Sequence, residues 1–339
     1  MVCVEVTMSR PTRRDVADRA GVSTAVVSYV VNDGPRPVAE STRARVLAAI
    51  ADLGYRPNAA ARALKLSRTN IIGLLITDIR NPFFSEFAKL FQDLLHQRGY
   101  SVTIGNTELD PELERSQIDA MLAQEVDGVV TFGLTTSEPL ERLMSEGVSV
   151  VSLDWRIREG PIPTIAVDDY GATQLAVRHL MEDGHTEVGF IGGPELSGIA
   201  GARIQAWRNV VGESGISPER LKEIEAFGEF SRRGGFDAMT VLLSKPKRPT
   251  AVFISSDVQA LGALHACREL GLRVPEDVAI VTFDGTEDSA FSAPPLSVIQ
   301  LPLQAMAEQA VDAVLGVGEA SALHVTLPHS LSARASCGH

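Results

Sequence analysis

The stretch DVADRAGVSTAVVSYVVNDG, residues 15–34, decides the fold of the first part of the chain. Thr12 followed by Asp15 predicts a capping box that opens a helix, because each residue can bond the other's backbone. Gly21 supplies the backbone freedom for a tight turn, and Ser23 can cap a second helix. The stretch therefore predicts two short helices joined by a turn.

The second predicted helix has two different faces. Val27, Val30 and Val31 recur at helical spacing and are expected to face inward. Short polar groups and one aromatic ring, suited to the major groove of DNA, occupy the opposite face: Thr24, Ala25, Ser28, Tyr29 and Asn32. A small helical bundle with a solvated polar face fits the same spacing, so spacing alone does not separate the two interpretations.

A third helix is predicted from about Ser41 to Leu53, with Val46, Ile50 and Leu53 buried. Together the three helices predict a small all-α domain at the start of the chain.

The charges are distributed unevenly along the 339 residues. Residues 1–70 hold 11 Lys and Arg against 6 Asp and Glu, a net charge of +5, whereas the remainder holds 20 against 37, a net charge of −17. A small basic part on a large acidic body is typical of a polyanion-binding module joined to a domain with another task.

The three cysteines and seven histidines show no metal-ligand spacing. Cys3, Cys267 and Cys337 are odd in number and scattered, so neither a disulfide framework nor a metal or cofactor is expected, which fits a reducing cytoplasm. No apolar run is long enough for a membrane span, and MVCVEVTMSR lacks the features of a signal peptide. The expected location is therefore the cytoplasm.

Two runs in this part, VADRAGVSTAVVSYVVN and TRARVLAAIADLGYRPNAAARALK, resemble the DNA-binding head of the lactose/purine repressor family. The resemblance implies that Thr24 and Ala25 read base edges and that Arg13 lies at the groove edge. It also implies that Ser23, Ser28 and Asn32 contact phosphates. Two further DNA contacts are implied, Thr12 and Tyr55. Family members commonly carry Arg where this chain has Tyr29, and a tyrosine cannot make the bidentate bond to guanine.

The run PNAAARALK is too short to be helical alone in water, so a helix there should form only when it packs against something. A plain linker is the alternative, although linkers favour Gly, Ser and Pro. In the family this segment is a hinge helix that pairs with its mate in a dimer and bends the DNA. The resemblance implies that Leu64 wedges into the minor groove and that Asn58, Arg62 and Lys65 contact phosphate or the groove edge.

Short apolar runs alternate with helical patterns from residue 70 onward and predict parallel sheets covered by helices: IIGLLI, SVTIG, GVVTFG, VSVVSL, EVGFIGG, AVFIS, VAIVTF and SVIQL. The resemblance extends to periplasmic sugar-binding proteins and implies two doubly wound lobes joined by three crossovers. The expected domains are the head (1–57), the hinge (58–69) and the body (70–339). Within the body, lobe 1 takes about 70–166 and 297–325, and lobe 2 takes about 167–296 and 326–339.

Ligands of such sheets collect at the carboxyl ends of the strands. Residues that follow the apolar runs there are candidate effector contacts: Phe83, Phe84, Asp154, Trp155, Arg203, Ser256, Asp257 and Asp284. Phe230 joins them because it matches the aromatic residue of a family motif. Carboxylates, an arginine and aromatic rings suit a sugar, and the same set could hold a purine. As alternatives, Asp154 and Asp284 can be loop caps, Arg203 an ion-pair partner and Asp257 a helix-start residue.

Catalysis has little support in the sequence. The Gly-rich run IGGPELSG matches neither GxGxxG nor the Walker spacing, and HExxH, GxSxG and CxxC are absent. The chain is therefore predicted to be a ligand-responsive repressor that binds a near-palindromic operator as a homodimer, with no coiled-coil tail for tetramerisation. A periplasmic-type sugar- or nucleobase-binding protein without DNA function is the alternative.

Overall fold

The computed structural model describes residues 11–31, 34, 36–56, 68–133, 138–153, 162–194, 198–317 and 324–339, with backbone only at 198–200. The chain divides into two compact units, Met1–Thr69 and Asn70–His339. Within the described ranges, no helix is long and apolar enough to cross a membrane.

Among its described residues, the first unit contains three helices: α1 (Arg13–Ala20), α2 (Thr24–Val31) and α3 (Glu40–Leu53). The predicted capping box is present, since the amide of Thr12 donates to Asp15 Oδ2 at 2.7 Å and the amide of Asp15 donates to Thr12 Oγ1 at 3.4 Å. Gly21 ends α1 in the left-handed conformation with φ 63°. Ser23 Oγ accepts from the amide of Val26 at 3.4 Å at the start of α2.

Apolar faces of the three helices meet in one small core. Its buried side chains are Val16, Ala17, Ala20, Val27, Val30, Val46, Ala49 and Tyr55. The predicted inward position of Val31 holds only in part, because this side chain is half-buried against the core, as are Ile50 and Leu53. At the surface, Arg19 Nη2 bonds Asp52 Oδ2 at 3.1 Å and links α1 to α3.

Lobe 1 of the second unit is a six-stranded parallel sheet in the order β2-β1-β3-β4-β5-β11. Its strands are β1 (Ile71–Ile76), β2 (Ser101–Asn106), β3 (Gly128–Thr131), β4 (Ser149–Ser152), β5 (Thr164–Val167) and β11 (His324–Leu327). Its helices are α4 (Pro82–Gln97), α5 (Pro111–Ala123), α6 (Glu138–Ser145) and α13 (Leu303–Leu315).

Lobe 2 is a second six-stranded sheet in the order β7-β6-β8-β9-β10-β12, parallel except for β12, which runs antiparallel to β10. Its strands are β6 (Val188–Gly192), β7 (Glu225–Phe227), β8 (Ala251–Ile254), β9 (Ala279–Asp284), β10 (Ser297–Gln300) and β12 (Ser330–Ser332). Its helices are α7 (Asp169–Glu182), α8 (Gly198–Glu213), α9 (Pro218–Glu223), α10 (Arg232–Leu243), α11 (Asp257–Glu269), α12 (Glu287–Phe291) and the 3₁₀ turn Ala335–Cys337.

Three connections cross between the lobes, after β5, after β10 and after β11. The predicted lobe boundaries are wrong at two of them. Residues 297–300 pair with β9 and belong to lobe 2, and residues 326–327 pair with β5 and belong to lobe 1. An apolar run shows that a strand exists, but only its hydrogen-bond partners show which sheet contains it.

The central strands are buried on both faces, as expected for parallel sheets covered by helices. Strands β3, β5, β6, β8 and β9 have no exposed residue. In lobe 2 the buried Trp207 satisfies its indole N–H by donating to the carbonyl of Val188 at 2.8 Å. The carboxyl ends of these rigid strands carry the candidate site.

Candidate DNA-binding face and effector site

The outward face of α2 presents small polar groups. Ser23, Thr24 and Ala25 are exposed, whereas Ser28 and Tyr29 are half-buried. Arg13 at the start of α1 is also exposed. A helix with this short, uncharged face can approach base edges closely, and the nearby arginine can reach a phosphate.

The ring of Tyr29 lies against the backbone of Gly34. A Cβ added at Gly34 would lie 2.6 Å from Tyr29 Cδ1, and the amide of Gly34 donates to the carbonyl of Tyr29 at 3.0 Å. This close contact requires glycine and limits the positions that the ring can adopt. The phenol is therefore a more rigid group than the arginine that the family resemblance would place there.

Tyr55 lies in the core of the helical unit rather than on the outward face of α2, and its role as a DNA contact stays a prediction. It is 8% exposed and belongs to the core of the helical unit, so its ring packs α3 against its neighbours. Thr12 is exposed and is engaged in the capping box. Five predicted DNA contacts lie outside the described residues: Asn32, Asn58, Arg62, Leu64 and Lys65.

The effector candidates gather at the edge where the lobes connect. The chain leaves β5, β10 and β11 at their carboxyl ends to cross over, and because each sheet is essentially parallel, the other strands end at the same edge. Ligands of open α/β sheets bind in that crevice. The crossover after β10 contacts the site directly, since the amide of Leu301 donates to the carbonyl of Asp284 at 3.1 Å.

Arg203 of α8 is the central cation of lobe 2. Its side chain is 7% exposed, and its Nη2 and Nε lie 2.7 and 2.9 Å from Oδ1 of Asp169 on α7. Nη1 donates to the carbonyl of Ser255, and the guanidinium lies 3.6 Å from the ring centroid of Phe283. The predicted alternative of an ion-pair role is therefore present in the structure, and the planar group is fixed by three elements at once.

Two buried carboxylates lie beside this cation. The amide of Asp257 donates to Asp284 Oδ2 at 3.4 Å, and Asp257 Oδ2 accepts from the amide and hydroxyl of Thr286 at 2.7 and 2.8 Å. Burial raises the pKa of Asp257 to about 7 and raises that of Asp284 well above its usual value, although the charge of Arg203 opposes the latter shift. Burial therefore favours the neutral form of each carboxyl group.

Asp284 also has a strained backbone, with φ 106°, which side chains other than glycine rarely adopt. Such strain is maintained only where the surrounding structure fixes it, and it is common at ligand sites. This backbone conformation turns the chain at the end of β9, next to the guanidinium of Arg203.

Ser256 and the buried Gln259 join the end of β8 to the loop that carries Phe230. Gln259 Oε1 accepts from the hydroxyls of Ser255 and Ser256 at 3.1 Å each. Its Nε2 donates to the carbonyls of Gly192 and Gly228 at 3.0 Å each. The amide thus fixes the positions of the loops that follow β6 and β7 relative to α11.

Phe230 covers Gly193 at the end of β6. A Cβ on Gly193 would lie 2.1 Å from Phe230 Cζ, so the ring is in direct contact with this backbone. The half-buried ring lies at the same edge as the polar groups, because both follow the carboxyl ends of strands.

Lobe 1 contributes aromatic rings. Asn81 caps α4 by accepting from the amide of Phe83 at 3.1 Å, and the half-buried Phe83 and Phe84 are edge-on neighbours with centroids 5.1 Å apart. Both contact Phe132 at the end of β3, at 5.7 and 5.3 Å. These rings offer an apolar surface to a ligand.

A hydrogen bond joins the two lobes beside the site. Glu86 Oε1 of α4 accepts from the amide of Glu287 at 2.9 Å. Thr286, the residue at the start of α12, does not cap this helix with its own side chain. The carboxylate of Glu86 in lobe 1 therefore caps α12 in lobe 2. Burial raises the pKa of Glu86, and nearby acidic residues add to that shift.

Sequence reasoning missed three contributors: Asp169, Gln259 and Phe132. Asp169 comes shortly after the run TIAV, which forms a buried strand. The apolar character of this run was the signal by which the sequence could have identified Asp169 as a site residue. Phe132 ends the apolar run GVVTFG. The predicted contacts Asp154 and Trp155 lie outside the described residues.

A small helical unit with a polar recognition face, joined to a two-lobed α/β body with a polar site at the crossovers, defines a ligand-responsive DNA-binding regulator. Two family profiles match: "Bacterial regulatory proteins, lacI family" at residues 12–58 and "Periplasmic binding protein-like domain" at residues 177–337. The chain belongs to the LacI family.

Full-length relatives agree with this assignment. The ribose operon repressor of Escherichia coli K12 is 37% identical over 90% of this chain and 92% of its own length. The transcriptional repressor PurR of Proteus mirabilis is 37% identical over 90% and 89%. A crystal structure of the lac repressor dimer bound to operator and an anti-inducer has a TM-score of 0.84 at 30% identity, covering 97% of this chain and 99% of that one.

The family assignment settles the class of function. LacI-family repressors bind operator DNA as dimers and respond to small molecules, and this chain is a ligand-responsive DNA-binding repressor rather than an enzyme. The periplasmic binding protein without DNA function, predicted as the alternative, is thereby excluded.

Proposed function

We propose that the chain acts in the cytoplasm as a homodimer on a near-palindromic operator, and that a sugar in the crevice between its lobes controls operator binding. The fixed Arg203 guanidinium beside the buried Asp284 at the crossover edge carries this proposal. Thr24, Ala25 and Tyr29 of α2 read the bases in each half-site, and Ser23, Ser28 and Arg13 contact the backbone.

A sugar suits the site because its hydroxyls both donate and accept hydrogen bonds. Arg203 offers donors to ring or hydroxyl oxygens, and a carboxylate such as Asp284 accepts from hydroxyls. Phe83, Phe84 and Phe230 supply apolar rings for the C–H face of the sugar. The similarity to the ribose operon repressor and to the transcriptional regulator CelR, whose structure is solved with cellobiose, supports such a ligand.

Control of DNA binding follows from the position of the site between the lobes. A ligand that contacts both lobes favours the arrangement in which those contacts form, so it shifts the balance between arrangements. By the family resemblance, that shift governs pairing of the segments around Leu64 on the operator. Operator and sugar must then change each other's affinity by the same factor.

A thermal-shift screen of the full chain against ribose, cellobiose, other sugars and nucleobases identifies the effector. A ligand at 100 times its dissociation constant stabilises the folded chain by about 2.7 kcal/mol. The expected result is stabilisation by one sugar that also changes operator affinity. Stabilisation by a nucleobase alone, or by a sugar that leaves operator affinity unchanged, contradicts the sugar proposal.

Asp284→Asn tests the site itself. Because burial favours the neutral form of Asp284, the amide should preserve the fold, while it replaces a carboxyl oxygen that can accept from a ligand hydroxyl with an NH2 group that cannot. We expect operator binding like that of the parent without sugar and no response when sugar is added. Asp237→Asn is the matched control, since Asp237 pairs with Arg233 at the surface and should respond normally.

Tyr29→Arg tests the DNA face. An arginine at this position can form a bidentate bond to guanine that tyrosine cannot, so the variant should prefer a different base at one position of each half-site. Selection from randomised operators measures this preference for both proteins. An identical selected operator, or an affinity of the parent that does not fall with salt, counts against the proposed face.

A further inference from the structure

Four side chains of metal-binding type converge in lobe 2 and include none of the residues of the effector site described above. They come from two separate parts of the chain: His179 and Asp183 near the end of α7, and Cys337 and His339 beyond β12. One ligand atom from each residue lies within 4.8 Å of each of the others. The sequence shows no such spacing because the two pairs are separated by more than 150 residues.

The measured separations suit a tetrahedral ion. Zinc bonds of about 2.0–2.3 Å to nitrogen, oxygen and sulfur place neighbouring ligand atoms roughly 3.3–3.8 Å apart. His179 Nε2 lies 3.2 Å from Cys337 Sγ and 3.5 Å from Asp183 Oδ2. His339 Nε2 lies 3.2 Å from both carboxylate oxygens of Asp183. Small rotations bring these atoms to bonding positions.

The protein holds the cysteine in place from behind. Cys337 is buried in the 3₁₀ turn, and Ser297 Oγ donates to its sulfur at 3.0 Å. The neighbouring Ser336 ties the turn to the sheet, donating to the carbonyl of Ile280 and accepting from the amide of Ser297, at 2.7 Å each. Hydrogen bonds that orient a ligand in this way strengthen metal sites.

Gly338 lets the chain return to the same point. Its φ of 98° is strained for any residue with a side chain, and the reversal brings the His339 ring to 5.1 Å from that of His179, between centroids. The side chain of His339 is 51% exposed, whereas those of His179 and Asp183 are only 16% and 24% exposed. Three more buried ligands and one half-exposed ligand make a site that a metal can enter from solvent.

We propose that His179, Asp183, Cys337 and His339 bind a divalent transition-metal ion, with zinc as the favoured ion. Two imidazoles, one carboxylate and one thiolate form a mixed donor set of the kind that zinc accepts in tetrahedral sites. On binding, the thiol of Cys337 releases its proton to solvent and the sulfur bonds the metal, so affinity falls as the pH is lowered. The metal fastens residues 337–339 to α7.

Cobalt(II) is the spectroscopic probe, added to the full chain after chelator treatment. A tetrahedral site with sulfur gives visible absorption and a near-ultraviolet thiolate-to-metal band. We expect one cobalt per chain, displacement by zinc, and loss of the thiolate band in Cys337→Ser. Cys3→Ser and Cys267→Ser are the controls, and both should keep the band, since burial raises the pKa of Cys267 to about 12 and so disfavours its thiolate.

His339→Gln is a second variant that should fold like the parent, because the side chain it replaces is half exposed. Competition with a chromogenic chelator should show zinc affinity at least about tenfold weaker than in the parent, as loss of even outer-shell partners costs 10–100-fold. Replacing the exposed His96 with Gln is the control and should change nothing. A thiolate band that persists in Cys337→Ser, absence of the band in the parent, or equal zinc affinity in parent and His339→Gln overturns the proposal.

Discussion

Replacing Arg203 should reveal how much of its role is structural. Its side chain and that of Asp169 are 7% and 11% exposed, so Arg203→Met removes a buried cation that pairs with Asp169 and donates to the carbonyl of Ser255. Breaking such a buried pair costs about 3–5 kcal/mol. At about 2–4 °C per kcal/mol for a domain of 150–250 residues, the midpoint of thermal unfolding should fall by roughly 6–20 °C.

A double-mutant cycle separates the pair from the rest of the site. Asp169→Asn removes the other charge, and the double variant carries neither charge. Because neither charge of the pair is then buried without the other, the cost of the double variant should be smaller than the sum of the single costs, by up to about 3 kcal/mol. Urea titration of the four full-length proteins, without ligand, measures the three differences in the free energy of unfolding.

Arg178→Met is the matched control. Arg178 pairs with Glu213 at 2.8 Å, but these side chains are 48% and 57% exposed, so the loss should not exceed about 1 kcal/mol. If Arg203→Met unfolds at the same urea concentration as Arg178→Met, or if the single costs simply add, the buried ion pair does not stabilise the lobe. Arg203 would then be held for the ligand alone.

Three further predictions concern other parts of the chain. Burial raises the pKa of Asp257 from 3.8 to about 7, so the folded state binds this proton more tightly than the unfolded state, and the resulting stabilisation is complete below pH 3.8 and lost as the pH rises toward 7. Relative to Asp257→Asn, the parent's free energy of unfolding should therefore fall over that pH interval. Urea titrations of both proteins measure this, and parallel curves would contradict it. Ala39 begins α3 without a side-chain cap, so Ala39→Ser should stabilise the helical unit by about 1 kcal/mol in calorimetry, whereas an unchanged transition would show that the cap bond does not form. Gly193→Ala should displace the ring of Phe230 and weaken binding of the sugar that stabilises the parent, while operator affinity without sugar stays unchanged. If calorimetry shows the same sugar affinity as in the parent, Phe230 does not contact the sugar.

Local chemistry in the sequence predicted more of the helical unit than of the site. The bonds between Thr12 and Asp15, and the turn at Gly21, involve residues close together in the chain, so the sequence contains all that determines them. Arg203 was identified, but its partner Asp169 depends on how α7 and α8 pack. The assignment of residues 297–300 to the wrong lobe has the same origin, because sheet membership is a long-range property.

The carboxyl group of Glu86 makes the balance between lobe arrangements adjustable at a position within the body. Its bond to the Glu287 amide exists only in lobe arrangements that keep the two groups 2.9 Å apart. A helix cap contributes about 1 kcal/mol, which corresponds to roughly a fivefold change in the balance between arrangements. In a regulated promoter, substitutions at this one position would change the basal expression and the effector concentration at half-response together, while the chemical identity of the effector and the operator sequence stayed the same.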